Sequence, residues 1–102
     1  MPLVATKTVR DDLDAAVTIS TGSVRVHAVV IANEQAATNP ITVNMTNVAN
    51  DHIYETIVCD GADTENGFNC PWIADRGGLV ARPISNPSAS AFVSVAFGAD
   101  GA

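Results

Sequence analysis

A chain of 102 residues with a hydrophobic fraction of 47% is the size and composition of one folded domain rather than of a disordered segment. Five basic residues against eleven acidic ones give a net charge of −6, which opposes a nucleic-acid backbone as partner. No run reaches the roughly 20 apolar residues needed to cross a bilayer, and Met1–Lys7 lacks the charged and apolar regions of a signal peptide, so synthesis in the cytoplasm is expected.

In chain order, Leu3 to Val9 alternates weakly before Arg10-Asp11-Asp12, and residues 1–12 are expected as a short edge strand or an extended N-terminal arm. Asp14 to Ser20 reads as a strand closed by Thr21-Gly22; a helix over Asp11–Ala16 is the alternative, weakened by Val17-Thr18-Ile19. Ser23 to Asn33 is the longest β-branched apolar run and is expected as the central strand. At period two, Val24, Val26, Ala28 and Val30 share one face, and Arg25, His27, Val29 and Ile31 share the other. Such a strand starts amphipathic and ends apolar on both sides, which asks for a second cover: a loop, the N-terminal arm or a neighbouring subunit.

After a polar loop over Asn33–Pro40, Ile41 to Thr46 alternates cleanly with Ile41, Val43 and Met45 inward. His52 to Cys59 is the next strand, and Asp60 to Asn69 reads as an acidic loop. A short strand follows Pro71, another spans Leu79–Arg82 and is stopped by Pro83, and Ala89 to Phe97 is the last, with Ala91, Val93, Val95 and Phe97 on one face and Phe92 on the other. About seven or eight short strands at this spacing predict a single all-β domain over residues 1–102, an antiparallel β-sandwich of jelly-roll-like form. An immunoglobulin domain would set Trp between two well-separated cysteines, whereas Cys59 and Cys70 are close and Trp72 follows both.

Chemistry-bearing residues are few. Cys59 and Cys70 flank the acidic loop, and a disulfide between them would stabilise by about 3 kcal/mol on the chain-entropy account; two free thiols, as in a reducing cytosol, is the competing reading. His27 and His52 lack the spacing that would join these cysteines in a zinc site. Asp60, Asp63, Glu65 and Gly67 miss the positions of an EF-hand loop and read as a solvated turn. Gly-x-Ser-x-Gly is absent and no base is marked beside a nucleophile, so no enzyme and no cofactor is expected. Trp72, Tyr54 and Phe68 are either core or interface anchors or a platform for stacking a sugar or a partner.

Gly22-Ser23-Val24-Arg25-Val26-His27-Ala28-Val29-Val30-Ile31-Ala32-Asn33, the Ile41–Thr46 strand, Pro71-Trp72-Ile73-Ala74-Asp75-Arg76-Gly77-Gly78-Leu79-Val80-Ala81 and the closing Ala-Phe-Val-Ser-Val-Ala-Phe strand come in an order that resembles the small β-sandwich virion proteins of tailed bacteriophages. The resemblance spans most of the chain and carries no catalytic residue. It implies a capsid decoration or tail accessory subunit that forms a homo-oligomer, such as a trimer, and binds the major capsid or other virion proteins. The expected location is the virion, and the expected subunit interface takes in Val29, Ile31, Phe92 and Trp72. The alternative is a carbohydrate-binding or host-recognition module that uses the loop aromatics.

Overall fold

The computed structural model describes residues 7–66 and 72–99. These residues form nine strands and no helix: β1 (Lys7–Leu13), β2 (Val17–Ser20), β3 (Val24–Asn33), β4 (Ile41–Thr46), β5 (Ile53–Cys59), β6 (Asp63–Asn66), β7 (Trp72–Ala74), β8 (Leu79–Ser85) and β9 (Ser88–Ala99). One sheet runs β1-β9-β3-β6, with β7 also on β3; the other runs β2-β8-β4-β5. Every pairing is antiparallel. β9 follows β3 from Val24 to Asn33, while β6 pairs with Val30–Asn33 and β7 with Val24–Val26. β6 and β7 therefore share the other edge of β3 and count as one strand position. Eight positions in two four-stranded sheets, with chain neighbours repeatedly crossing between the sheets, is the jelly-roll sandwich that the sequence predicts.

The core lies between the sheets and is filled by alternating side chains. Ile41, Val43 and Met45 of β4 are fully buried, as their spacing predicts, and face Ala91, Val93 and Val95 of β9 together with Leu13, Ile57, Leu79 and Ala81. Each completely buried Ile, Leu or Met contributes about 1.5–3 kcal/mol, which makes this aliphatic layer the main source of stability.

The central strand departs from its predicted faces. Val26 pairs with Phe97 and Ala28 with Ala96, so His27 is an extra residue with no partner of its own on β9. This β-bulge shifts the side-chain phase by one. Val24 and Val26 point inward before it; Val29, Ile31 and Asn33 point inward after it; His27 and Ala28 are both exposed. Two apolar rows that look like opposite faces of one strand are thus one face in two phases. The core of this same chain supplies the cover that the pattern asks for.

Other boundaries move for related reasons. Lys7–Asp12 belongs to edge strand β1, paired with β9, rather than to a free arm or a helix; residues 1–6 lie outside the described residues. The acidic stretch expected as loop contains β6, because an edge strand paired on one side leaves Asp63 and Glu65 close to water. β8 runs through Pro83 to Ser85; the register against β4 shifts there, which lets a residue without an amide hydrogen sit in the sheet.

Candidate interaction surface

The residues expected at a subunit interface do not share a surface. Val29 is 2% exposed and Ile31 is 0%, so neither can meet a neighbour. Phe92 is half-buried on the outer side of β9, and the Arg10 guanidinium sits 4.2 Å from its ring centroid. That cation–π contact from β1 already covers one ring face. Trp72 is half-buried at the opposite edge of the sheet, against Tyr54 at a centroid distance of 5.5 Å. Phe68 and Cys70 lie outside the described residues.

Tyr54 is a fastener between loops. Its hydroxyl donates to the Gly78 carbonyl at 2.9 Å and accepts from the Arg76 amide at 2.9 Å, and its ring meets His52 edge-on at 5.0 Å. Both hydrogen-bonding functions of the hydroxyl are used inside the fold. Beside it, buried Asn47 receives the Asp51 and His52 amides on Oδ1 and donates from Nδ2 to the Arg76 carbonyl and the Asp51 carboxylate. Asn33 does the same at the far end: its Nδ2 donates to the Asn39 and Cys59 carbonyls and its Oδ1 accepts from the Gln35 amide. In sequence both asparagines look like ordinary loop residues; only burial shows that they hold the loops.

Cys59, at the end of β5, is 1% exposed and has no disulfide partner among the described residues, with Cys70 outside them. Its sulfur lies 3.4 Å from the Asp63 carbonyl oxygen and 3.7 Å from that of Ile31. Burial, and after it the Asp63 carboxylate, pushes the thiol pKa up, so it stays a protonated, weakly polar core group. The neighbouring groove, about 420 Å³, is open to solvent and lined by Ala32, Asn33, Glu34, Ala62, Asp63 and Thr64. Its polar side chains are the Glu34 and Asp63 carboxylates, the Asn33 amide and the Thr64 hydroxyl. Among the described residues no three His, Cys, Asp or Glu side chains converge as metal ligands. Next to it in the chain, Gly61 packs so closely that a Cβ there would overlap the Ala36 carbonyl oxygen.

What remains is the exterior of the β2-β8-β4-β5 sheet. Its inner side holds Ile41, Val43, Met45, Ile57 and Cys59; its outer side pairs Thr42 with Val58 and Asn44 with Thr56, the latter joined by a 2.8 Å hydrogen bond. The 47–50 loop folds over part of this exterior, where Arg82 donates to the Thr46 hydroxyl and the Val48 carbonyl. The open part carries Val58 at 54% exposure and, at the β8 bulge, Ile84 at 59%. No carboxylate stands among the paired outward residues Thr42, Asn44, Thr56, Val58 and Arg82. The described acidic residues sit instead on β1, on β6 and in the connecting loops, apart from half-buried Glu55 on β5. Sequence reasoning missed this surface because Val58 and Ile84 are each unremarkable alone; Val58 is placed by its pairing with Thr42, and Ile84 is the unpaired bulge residue beside Ser85.

No protein-family model and no curated protein matches the sequence. A solved structure of Bacillus endospore appendages, a family of disulfide-linked pili, is similar at a TM-score of 0.50 and 14% identity, over 94% of this chain and 88% of that one. At that identity the likeness is one of fold: a strand-rich body of the same general architecture.

Proposed function

We propose that the chain is a non-enzymatic structural subunit that acts through contacts with copies of itself and with the proteins of a larger particle. The observation that carries this is the exterior of the β2-β8-β4-β5 sheet, a carboxylate-free surface with Val58 and Ile84 exposed on a molecule of net charge −6. A carboxylate-free, partly apolar patch bordered by acidic residues is the anatomy of a protein–protein interface.

The resemblance of the strand and turn segments to small virion proteins of tailed phages makes a capsid decoration subunit the specific form of this reading. The likeness to disulfide-linked pili supports the same coarse role and favours a second form, a filament subunit. Sedimentation of the purified chain, followed by electron microscopy, tests the shared claim. Discrete oligomers or regular assemblies are expected; a monomer at every concentration reached would overturn it. Rings or caps would favour decoration, and open-ended fibres the filament form.

A further inference from the structure

One outward row of the β2-β8-β4-β5 sheet is hidden. Val80 pairs with Thr18 on one side and Thr46 on the other, and Thr46 pairs in turn with Ile53, so the row crosses all four strands. The inward neighbours Leu79, Ala81 and Met45 belong to the core between the sheets, whereas Val80 does not. Thr18 and Ile53, at the ends of the row, are exposed; Val80 is 2% exposed and Thr46 1%. A valine and a threonine on the outer side are thus as buried as the core.

The segment tied over them is 47–50. Arg82, two residues beyond Val80 on the same side of β8, donates from Nε to the Thr46 hydroxyl at 2.8 Å and from a terminal nitrogen to the Val48 carbonyl at 3.1 Å. The Val48 amide donates to the Gly77 carbonyl at 2.9 Å, and Asn47 Nδ2 to that of Arg76 at 2.8 Å, which joins the segment to the turn before β8. Gly78 gives Val48 its seat, since a Cβ there would lie 2.6 Å from a Val48 methyl. These ties are nearly all polar. Val48 is 44% exposed, Ala49 and Asn50 are exposed, and Asn50 takes a left-handed φ of 57°. A segment held by hydrogen bonds with little apolar burial opens at a lower free energy than the sheet beneath it.

We infer that 47–50 is a displaceable strap, clasped by Arg82, which opens locally together with the 75–78 turn and uncovers Val80 and Thr46. Opening adds an uncharged row, Thr18, Val80, Thr46 and Ile53, to the exterior that carries Val58 and Ile84. The strap therefore sets how much of that surface a partner meets. This role rests on the reading of the exterior as a contact surface; the opening itself does not.

Amide hydrogen exchange on the dilute full chain tests the opening. The amides of Val48, Asn50, Asp51, His52 and Arg76 all donate within the strap and turn. Their exchange in the wild type should be nearly insensitive to low urea, while amides of β4 and β9 accelerate with it. Arg82→Met keeps an apolar stem and removes both donors. It should speed exchange at 48–52 and at Arg76 about tenfold or more, and at β4 and β9 far less. A urea dependence shared with β9, or an equal effect of Arg82→Met on strap and sheets, would overturn the strap, and the first readout stands even where the variant fails to fold. Sedimentation tests the role: Arg82→Met should self-associate more tightly than the wild type, by up to the factor gained in exchange. Equal or weaker association would overturn the strap as a cover. A wild type and variant that both stay monomeric would overturn the subunit reading and leave the local opening standing.

Discussion

Cys59 shows how one buried side chain ties stability to conditions. Its thiol is held neutral by burial and by the nearby Asp63 carboxylate, so its pKa in the folded chain lies above that of the unfolded chain. Below the ordinary thiol pKa of about 8.5, both states are protonated and the group's contribution is complete. As pH rises past that value the unfolded chain gives up its proton first, and the contribution declines until the folded pKa is passed. Urea melts of the wild type and of Cys59→Ala at increasing pH should therefore show the wild type's advantage constant near neutrality and shrinking in alkali. The slope is limited to about 1.4 kcal/mol per pH unit. An advantage that stayed constant to strongly alkaline pH would mean that the thiol is not held neutral by the fold.

At the scale of elements, the bulge in β3 makes spacing more important than side-chain identity. His27 is exposed and touches little, so His27→Ala should change stability by no more than about 0.5 kcal/mol. Deleting His27 removes the extra residue and forces β3 into one phase, turning either Val24 and Val26 or Val29 and Ile31 out of the core. Exposing two such side chains costs about 3–6 kcal/mol, most of the stability of a small domain. Thermal melts of the two variants would show a normal transition for the first and a lost or strongly lowered one for the second. The same bulge explains what could and could not be read from sequence. The faces of β4 and β9 were legible because a strict alternation of Ile41, Val43 and Met45, or of Ala91, Val93 and Val95, has one solution. β3 was legible as a strand but not in its faces, since a continuous apolar run hides an inserted residue. Acidic β6 and proline-containing β8 were hidden by composition, because local preference yields where a neighbouring strand supplies the ladder. At the expected interface, the apolar character of Val29 and Ile31 that suggests a second face is what places them inside.

For the whole molecule, charge and assembly act against one another. Each copy brings a charge of −6, so two copies repel at long range even where their contact surfaces are neutral. Salt shortens that repulsion, with a screening length of about 10 Å at 0.1 M, and has little effect on backbone pairing or apolar contact. Self-association measured by sedimentation should therefore strengthen as sodium chloride is raised from low to physiological levels. Weakening over the same range would indicate an interface built from opposite charges, contrary to the surface proposed above.

The pairing of β1 with β9 has a consequence in time as well as in space. The first described strand finds its partner in the last one, and β3 needs that same strand along its whole length. Until Ser88–Ala99 has been synthesised, the sheet containing β1 and β3 lacks its middle, and the apolar sides of Val29 and Ile31 have no layer to close over them. Every residue in β4 and β5 emerges earlier, and those two strands can form a local hairpin. A nascent chain can thus form the β4–β5 hairpin before its core is shut, and the inner faces of β3 and β4 are covered only once β9 is complete.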